Sequence, residues 1–366
     1  MGAKTTGLFR EMIIHPGETL KELIDDRGIS QVELAHRTGV SEAFISDIIR
    51  GRKGISSSFA RKLEYATGVE TKFWSNLQAD YDAEIAAYEE QNNISAAEID
   101  ITKILKQITN YLKKIKILPD MTTADDLVLW YRRWMGISDL ANIPKLAIIK
   151  VLRRSDHAAT DPYVLLVWLH LCKYLAEKAE SSLVELSKDS LSDSIERIKN
   201  TMFLSASEMV HELEEIFADC GIIFQVVKHF PGAPVQGAVL RLPNGGFSLC
   251  LTIRGAGADI FWFSLMHEIG HIINGDVDRA KEFVDYLDAN NDASEQKADD
   301  FAKDALMNSK AYADFISKAE FSPDAIRRFA DTQGVLPCIV IGRMSKERIL
   351  GYHQHQNLKR LYKWED

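Results

Sequence analysis

The segment from Phe261 to Asp276, FWFSLMHEIGHIINGD, places two histidines and a glutamate inside an almost wholly apolar run. Drawn as a helix between Asp259 as the cap and Gly275 as the stop, it is apolar over most of its circumference, which is typical of a buried helix. Its polar residues fall on one stripe: Ser264, His267, Glu268, His271 and Asn274. Polar side chains in a core need a partner. The stripe therefore indicates either a metal site or a set of hydrogen-bonded core histidines.

The spacing of the two histidines favours the metal site. His267 and His271 are four residues apart, so their imidazoles leave one helix face one turn apart, as two ligands of a single zinc ion do. Glu268 follows the first histidine and completes the H-E-x-x-H arrangement. In that arrangement the glutamate acts as a general base for metal-assisted hydrolysis of a peptide bond.

A catalytic zinc site needs a third protein ligand, and we look for it in SEQKADDFAKDALM. Glu295 lies three residues before Ala298 on the apolar face of this predicted helix, which makes it the candidate ligand. Asp299, one turn further on, is the reserve candidate. The alternative is that Asp292 caps the helix and Glu295 completes a capping box.

The stretch GISQVELAHRTGVSEAFISDIIRGRKGIS near the N-terminus predicts a helix-turn-helix. Ser30 is the predicted cap of the first helix, with Glu33 completing a capping box, and Ser41 is the predicted cap of the second. Gly39 suits the turn between the two helices. In this arrangement the start of the second helix would face the major groove of DNA.

Two sets of residues are the candidate DNA contacts. Those predicted to face base edges are Ser41, Glu42, Ala43 and Phe44, and those placed for phosphates are Gln31, Arg50, Arg52 and Lys53. Residues 27–62 carry a local charge of +4, while the whole chain carries −9. This contrast predicts local DNA binding and argues against a chain that coats nucleic acid.

The patterning of the chain predicts a mainly α, α+β fold in three parts. Residues 1–92 form the N-terminal five-helix helix-turn-helix domain, 93–200 a helical linker or scaffold, and 201–366 a C-terminal HExxH metallopeptidase-like domain. The last part contains three short strands, which we predict to form a small antiparallel sheet. The strand ending at Arg254 is the one expected to pair with an extended substrate.

Composition excludes several classes of protein. The four cysteines are widely spaced, which argues against a zinc ribbon and against a disulfide framework. The sequence shows neither a signal peptide nor an apolar run near the ~18 residues that a membrane span needs. We therefore expect a cytoplasmic protein with no membrane partner.

The N-terminal third resembles the antitoxins of HigA and VapI type. Three blocks carry the resemblance in the same order: IHPGETLKELIDDRGIS, ISDIIRGRKGIS and FWSNLQADYD. The resemblance implies an XRE-type helix-turn-helix repressor of a toxin–antitoxin operon. Its expected partners are double-stranded operator DNA, a toxin protein and a second copy of the chain in a homodimer.

Residues from about 200 to 366 resemble the ImmA/IrrE metallopeptidases, through FWFSLMHEIGHI followed by SEQKADDFAKDALM. The resemblance implies Zn²⁺ as the cofactor, His267, His271 and Glu295 as its ligands, and Glu268 as the catalytic base. Asp299 stands where the family often has Asn, and Asn308 where it has Pro. Some members cleave helix-turn-helix repressors, which implies that a reader and a peptidase are here fused into one switch.

These inferences predict an antitoxin-like DNA-binding regulator that carries a zinc metallopeptidase domain. Two alternatives stay open. In one, the chain is a repressor that holds zinc but hydrolyses nothing. In the other, it is first a metalloprotease, and its helix-turn-helix docks it near a repressor or toxin substrate.

Overall fold

A computed structural model describes residues 9–120, 123–146, 160–179, 185–242, 246–255, 257–276 and 292–363. The chain divides into two compact units. Residues 1–99 and 122–129 form the first, and residues 100–121 and 130–366 form the second. The predicted mainly α, α+β fold is confirmed, because helices dominate and a small sheet lies in the second unit.

The first unit contains the five helices that the sequence predicts for the N-terminal domain. They are α1 (Pro16–Asp26), α2 (Gln31–Thr38), α3 (Glu42–Ile49), α4 (Ser57–Thr67) and α5 (Thr71–Asn92). Both predicted caps form: the hydroxyl of Ser30 accepts from the Glu33 amide at 3.1 Å, and that of Ser41 from the Phe44 amide at 3.2 Å. The side chain of Glu33 pairs with Arg37 instead of completing a capping box.

The core of this unit lies where α1, α2 and α3 meet. Fully buried aliphatic side chains fill it, including Leu20, Leu34, Ile45 and Ile48. Gly39 adopts a left-handed conformation at φ 62°, which ends α2 and turns the chain into α3. Gly17 lets α1 approach the backbone of α3, because a Cβ there would lie 1.9 Å from the carbonyl oxygen of Ile48.

Where the structure describes it, the middle of the chain is helical, as predicted. Its helices are α6 (Ala96–Ile104), α7 (Lys106–Lys114), α8 (Ala124–Met135) and α9 (Pro162–Lys178). Helix α9 is buried along most of its length and packs on the sheet of the second unit. The indole of Trp168 in α9 also donates to the carbonyl oxygen of Lys228 at 3.1 Å. This part of the middle region is therefore a structural layer of the second unit.

Three strands form the sheet within the described residues: β1 (Ile222–Val226), β2 (Gly237–Arg241) and β3 (Phe247–Leu251). Their order is β1-β3-β2, with β1 parallel and β2 antiparallel to β3. The sheet is therefore mixed, and the prediction of a purely antiparallel sheet was wrong. The alternation of side chains identifies a strand, but it carries no information on the direction of its neighbours.

Strand β3 is buried on both faces. Phe247, Leu249 and Leu251 enter the main core of the second unit, whereas Ser248 and Cys250 face the opposite side, where α9 covers the sheet. Because β3 is hydrogen-bonded to both neighbours, it has no edge left for a substrate. The expectation that this strand pairs with an extended substrate is therefore wrong, and within the described chain the free edges belong to β1 and β2.

The second unit contains eight further α-helices among the described residues. They are α10 (Lys188–Asp193), α11 (Ile195–Asn200), α12 (Ala206–Asp219), α13 (Ala258–Asn274), α14 (Asp292–Leu306), α15 (Ser309–Ser317), α16 (Pro323–Gln333) and α17 (Pro337–Lys346). Helix α13 is the predicted apolar helix, and its stop at Gly275 is confirmed at φ 79°. Its cap is Gly257, however, and not Asp259, which lies inside the first turn, where a carboxylate favours the positive end of the helix dipole.

None of the helices described here is long and apolar enough to cross a membrane. All four cysteines are buried free thiols. Cys172 in α9 and Cys250 in β3 lie beside each other between the helix and the sheet.

The close approach of α1 to α3 gives a test of the N-terminal fold. We expect Gly17→Ala to destabilise the first unit by at least about 2 kcal/mol, because its methyl group would meet backbone that cannot move aside. Gly54→Ala is the contrasting control, since its methyl group would meet the Gln78 side-chain amide instead of backbone. This amide accepts from the Ile55 amide at 2.7 Å, so we expect a smaller cost of about 1 kcal/mol. Hydrogen exchange of α1 and α3 amides in the full chain measures both. Wild-type protection in Gly17→Ala would contradict this packing.

Candidate metal centre and nucleic-acid interface

The candidate metal centre lies where α13 crosses α14. A Cβ at Gly270 would lie 3.1 Å from both the Ala298 Cα and the Phe301 Cδ1, so the glycine lets the two helices pack this closely without a shift of either neighbour. This approach brings Glu295 of α14 over the two histidines of α13. The predicted placement of a carboxylate from the second helix against the HExxH helix is therefore seen in the fold.

Three side chains converge at this crossing. The Nε2 atoms of His267 and His271 lie 2.9 Å apart. The carboxylate oxygens of Glu295 lie 3.3 Å from the first Nε2 and 3.6 Å from the second. Each of the three residues offers one ligand atom, and these three atoms all lie within 4.8 Å of one another. Together they form a group of side chains among the described residues that could hold a metal ion.

A carboxylate backs each imidazole on its other nitrogen. The Nδ1 of His267 lies 3.0 Å from Asp299 Oδ1, and the Nδ1 of His271 lies 2.9 Å from Asp276 Oδ2. Asp299, the reserve ligand of the sequence analysis, thus contacts the outer nitrogen of a histidine. The alternative role of Glu295, as part of a capping box with Asp292, involves a side chain outside the described residues.

The donor set fits a metal ion. If each Nδ1 donates its hydrogen to the carboxylate behind it, both Nε2 atoms are acceptors that face each other at 2.9 Å. Two such lone pairs need a cation between them, and in the metal-free protein that cation is a proton. Two imidazoles and one carboxylate are also a ligand set that zinc uses in catalytic sites.

The electrostatics of the site agree with a shared proton. Burial disfavours the charged form of His267, but hydrogen bonds to Asp299 and Glu295 together outweigh it and raise the His267 pKa to about 10. Burial, reinforced by the charge on His267, lowers the pKa of His271 to about 3. The hydrogen bond from His267 lowers the pKa of Asp299 to about 2. At neutral pH the two imidazoles therefore share one proton beyond the hydrogens on their Nδ1 atoms, and the pair carries a single positive charge.

Glu268 occupies a separate, buried position beside the histidines. Burial raises its pKa to about 7, although the charge on His267 opposes this. Its Oε2 atom has no hydrogen-bond partner among the described residues. Gly237, the first residue of β2, leaves space for this side chain, because a Cβ there would lie 2.8 Å from Glu268 Oε1. An unsatisfied buried carboxylate oxygen is what a proton-transfer group requires before its reactant arrives.

The other two residues of the predicted polar stripe, Ser264 and Asn274, lie outside the candidate metal centre. The hydroxyl of Ser264 donates to Gln236 Oε1 at 3.1 Å, and Asn274 is exposed.

The candidate nucleic-acid interface lies in the first unit, at the start of α3. The side chains predicted there are exposed: Gln31, Ser41, Glu42, Ala43, Arg50, Arg52 and Lys53. Phe44 differs, since its ring is half-buried and packs edge-on against Phe59, with ring centroids 5.1 Å apart. Its side chain thus supports the domain core, which leaves the exposed first turn of α3 to the other residues.

Two of the predicted phosphate contacts are engaged by a neighbour. The carboxylate of Asp47 in α3 forms two ion pairs: Oδ1 lies 2.7 Å from Arg52 Nη2, and Oδ2 lies 3.2 Å from Lys53 Nζ. Its backbone carbonyl accepts from the amides of the same two residues. Hydrogen bonds from Arg52 and then Lys53 lower the pKa of Asp47. The basic turn after α3 is therefore folded back onto an acidic residue.

Sequence reasoning misses three residues of these sites. Asp276 follows the glycine that ends α13, and an acidic residue after a C-cap carries no recognisable signal. Asp47 stands out in the sequence only as an acidic residue on the reading helix, although a carboxylate five residues before Arg52 can reach back to it. Gly237 is recognisable only as part of a strand, because its role depends on the close approach of Glu268.

Comparison with known proteins places the N-terminal domain. The sequence profile of the family described as helix-turn-helix matches residues 20–74. Virulence-associated protein A' of Dichelobacter nodosus is 44% identical over 69 residues, which are 19% of this chain and 60% of that protein. Virulence-associated protein I of the same organism is 35% identical over 80 residues, which are 22% of this chain and 74% of that protein.

A solved structure of the Pseudomonas aeruginosa antitoxin HigA with the higBA promoter is 35% identical. It covers 23% of this chain and 96% of its own, with a TM-score of 0.21. These matches concern the N-terminal part, so the resemblance of residues 201–366 to the ImmA/IrrE metallopeptidases stays a prediction. Through its N-terminal domain, the chain belongs to the helix-turn-helix family that includes these virulence-associated proteins.

Proposed function

We propose that this protein is an antitoxin-like, DNA-binding transcriptional regulator whose C-terminal domain is a zinc-dependent metallopeptidase. The observation that supports the metallopeptidase domain is the convergence of His267, His271 and Glu295 beside the buried Glu268, whose Oε2 has no partner among the described residues. The proposal of a DNA-binding regulator rests on membership of the helix-turn-helix family and on the exposed first turn of α3.

On the DNA side, α3 enters the major groove with Ser41, Glu42 and Ala43 toward base edges. Gln31 at the start of α2 and the basic turn from Arg50 to Lys53 contact phosphates. The chain acts as a homodimer on two half-sites about one helical turn apart, since such domains match a symmetric operator. A toxin encoded beside it is the further partner that its antitoxin relatives support.

Asp47 gives the sharpest test of this interface. Asp47→Asn removes a negative charge from the phosphate-facing surface and releases Arg52 and Lys53, so we expect tighter binding to specific and random duplexes. The slope of log K against log salt should become steeper by about one unit, whereas Lys53→Ala should weaken binding and flatten it by a similar amount.

Fluorescence anisotropy with duplexes from the upstream region of the gene, and with a scrambled duplex, measures both variants. Asp80→Asn, at an exposed position on α5, is the matched control for overall charge. Unchanged salt slopes in both variants would contradict the placement of this turn at the phosphates.

In the C-terminal domain, His267, His271 and Glu295 are the residues that would hold zinc. When bound, zinc supplies Lewis-acid chemistry, which polarises a carbonyl and makes water more acidic. Glu268 accepts the proton of the attacking water at its unsatisfied Oε2 and delivers it to the leaving amine. Burial makes this carboxyl less acidic than an exposed glutamate, since it raises the pKa, and this favours proton exchange with water and with the amine.

The peptide substrate lies in an extended conformation along the free edge of β2. This strand begins at Gly237, directly beside Glu268, and its outer edge is unpaired within the described chain. Backbone hydrogen bonds to a strand edge hold a peptide with little dependence on its sequence. This edge takes the role that the sequence analysis gave to β3.

The metal site is tested by four substitutions followed by elemental analysis and zinc titration. His267→Ala and His271→Ala should abolish stoichiometric zinc, and Glu295→Ala should weaken it strongly, because each removes a converging ligand atom. Glu268→Gln should keep zinc, since the glutamate is not one of the ligands. Wild-type protein that contains no zinc and takes up none would overturn the metal site.

Zinc uptake should also release protons. Because the pKa of His267 is about 10 in the metal-free protein, its imidazole is charged at pH 7 and must lose a proton to become a ligand. His271, with a pKa of about 3, is already neutral and releases none. Zinc affinity should therefore rise with pH up to about 10.

Titration calorimetry at pH 7 in two buffers of different ionisation enthalpy counts the protons, and we expect at least one per zinc ion. Glu268→Gln controls for any proton that Glu268 loses. Equal heats in both buffers would mean that the histidine pair is not the binding site.

The same protein preparations distinguish this proposal from the two alternative functions, a zinc-binding repressor without turnover and a protease that only docks on DNA. A repressor that holds zinc without turnover would bind metal and DNA but cleave no peptide library, with or without Glu268. A protease that uses its helix-turn-helix only to dock would cleave a partner and show no preference for its upstream DNA.

A further inference from the structure

A single residue, Asp276, connects the C-terminal end of helix α13 to the candidate ligand His271. Gly275 ends the helix in a left-handed turn at φ 79°. The turn sends the Asp276 amide to the carbonyl oxygen of His271 at 3.1 Å. The carboxylate of Asp276 meets the Nδ1 of the same histidine at 2.9 Å. Both the backbone and the side chain of Asp276 are therefore bound to His271.

We propose that Asp276 is a positioning residue for the metal centre: held by the Gly275 turn, it fixes His271 as the tautomer whose Nε2 faces His267 and Glu295. The inference rests on the proposed zinc site and names a residue that acts on it from outside the ligand set.

Asp276 is the carboxylate that the described residues place at the outer nitrogen of His271. The imidazole is only 2% exposed, so solvent cannot bind its Nδ1, and the Asp276 carboxylate lies within hydrogen-bond distance of it. Asp276 is itself 21% exposed, so its charge remains partly hydrated while it accepts. A carboxylate behind a ligating histidine both orients the ring and increases the basicity of the ligand nitrogen.

The first histidine is oriented in a different way. Its partner, Asp299, lies on α14, one turn after the ligand Glu295, and is itself 3.5 Å from Lys346 Nζ. The orientation of His267 therefore depends on the docking of α14 against α13. The orientation of His271 depends instead on where α13 ends, because Asp276 belongs to that helix terminus. The two ligands of one ion are thus set by two independent structural features.

The test compares zinc affinities by competition with a chromophoric chelator in the full-length protein. Asp276→Ala should lower the affinity about 10- to 100-fold, the usual effect of removing such a partner. Asp276→Asn should lose less, because its amide oxygen still accepts from Nδ1 while the charge is gone. Asn274→Ala is the matched control, since this exposed residue of the same helix end should leave the affinity unchanged.

A second readout separates positioning from general stability. In the zinc-loaded wild type, ¹⁵N NMR of His271 should show a protonated Nδ1 and a ligating Nε2. This signature should be kept in Asp276→Asn and lost or mixed in Asp276→Ala. If Asp276→Ala does not fold, as judged by circular dichroism, the wild-type spectrum decides: a zinc-loaded His271 that ligates through Nδ1, or whose Nδ1 carries no hydrogen, would overturn the positioning role.

These measurements distinguish a failure of the proposed function from a failure of this inference. Wild-type protein that binds no zinc overturns the proposed function and this inference with it. Wild-type protein that binds zinc, with Asp276→Ala equal to Asn274→Ala in affinity and NMR signature, overturns only the inference. In that case the metal site stands and Asp276 is simply a helix-terminal residue.

Discussion

The second unit depends on one constraint: a helix placed in the centre of a core carries a stripe of polar side chains that must be satisfied there. Helix α13 meets it in three ways. Ser264 bonds to a loop residue, the two histidines bond to carboxylates on their outer nitrogens, and their inner nitrogens meet Glu295. Within this stripe, Glu268 keeps a buried oxygen, Oε2, for which the described residues supply no hydrogen-bond partner. In a buried environment such an oxygen is costly, which is why a chemical role is the better explanation for it.

Much of this site follows from the sequence because the chemistry is local. The four-residue spacing of His267 and His271 fixes their common face on any helix. Glu295 lies on the side of its helix that turns toward them, although its side chain remains 47% exposed. The close crossing at Gly270, which brings the two helices together, is not visible in the sequence, because a glycine inside a helix has several possible causes. The same limit applies to Gly237, whose importance arises from a contact between distant segments.

The errors in the predicted fold have a common physical origin. Periodicity reports which face of a segment is buried, and it was right for α13 and for the alternating strand β3. It does not report the order or direction of strands, so the parallel pairing of β1 with β3 was missed. It also does not report which neighbour covers the second face. Helix α9 does so, and this explains why a segment with the pattern of a half-exposed strand is buried on both sides.

The proposed DNA-binding surface is less determined by its sequence than the buried site, because water screens exposed charges and does not screen buried ones. Inside the core, an unpaired charge costs so much that its partner is nearly fixed by necessity. On the exposed turn after α3, Arg52 and Lys53 are held by Asp47, yet water screens each pair and exchanging one partner for another costs little. A phosphate can therefore compete with Asp47 for the same two cations. In the proposed function, the contact with Asp47 therefore orders this turn before DNA binds and weakens its binding to DNA of unrelated sequence.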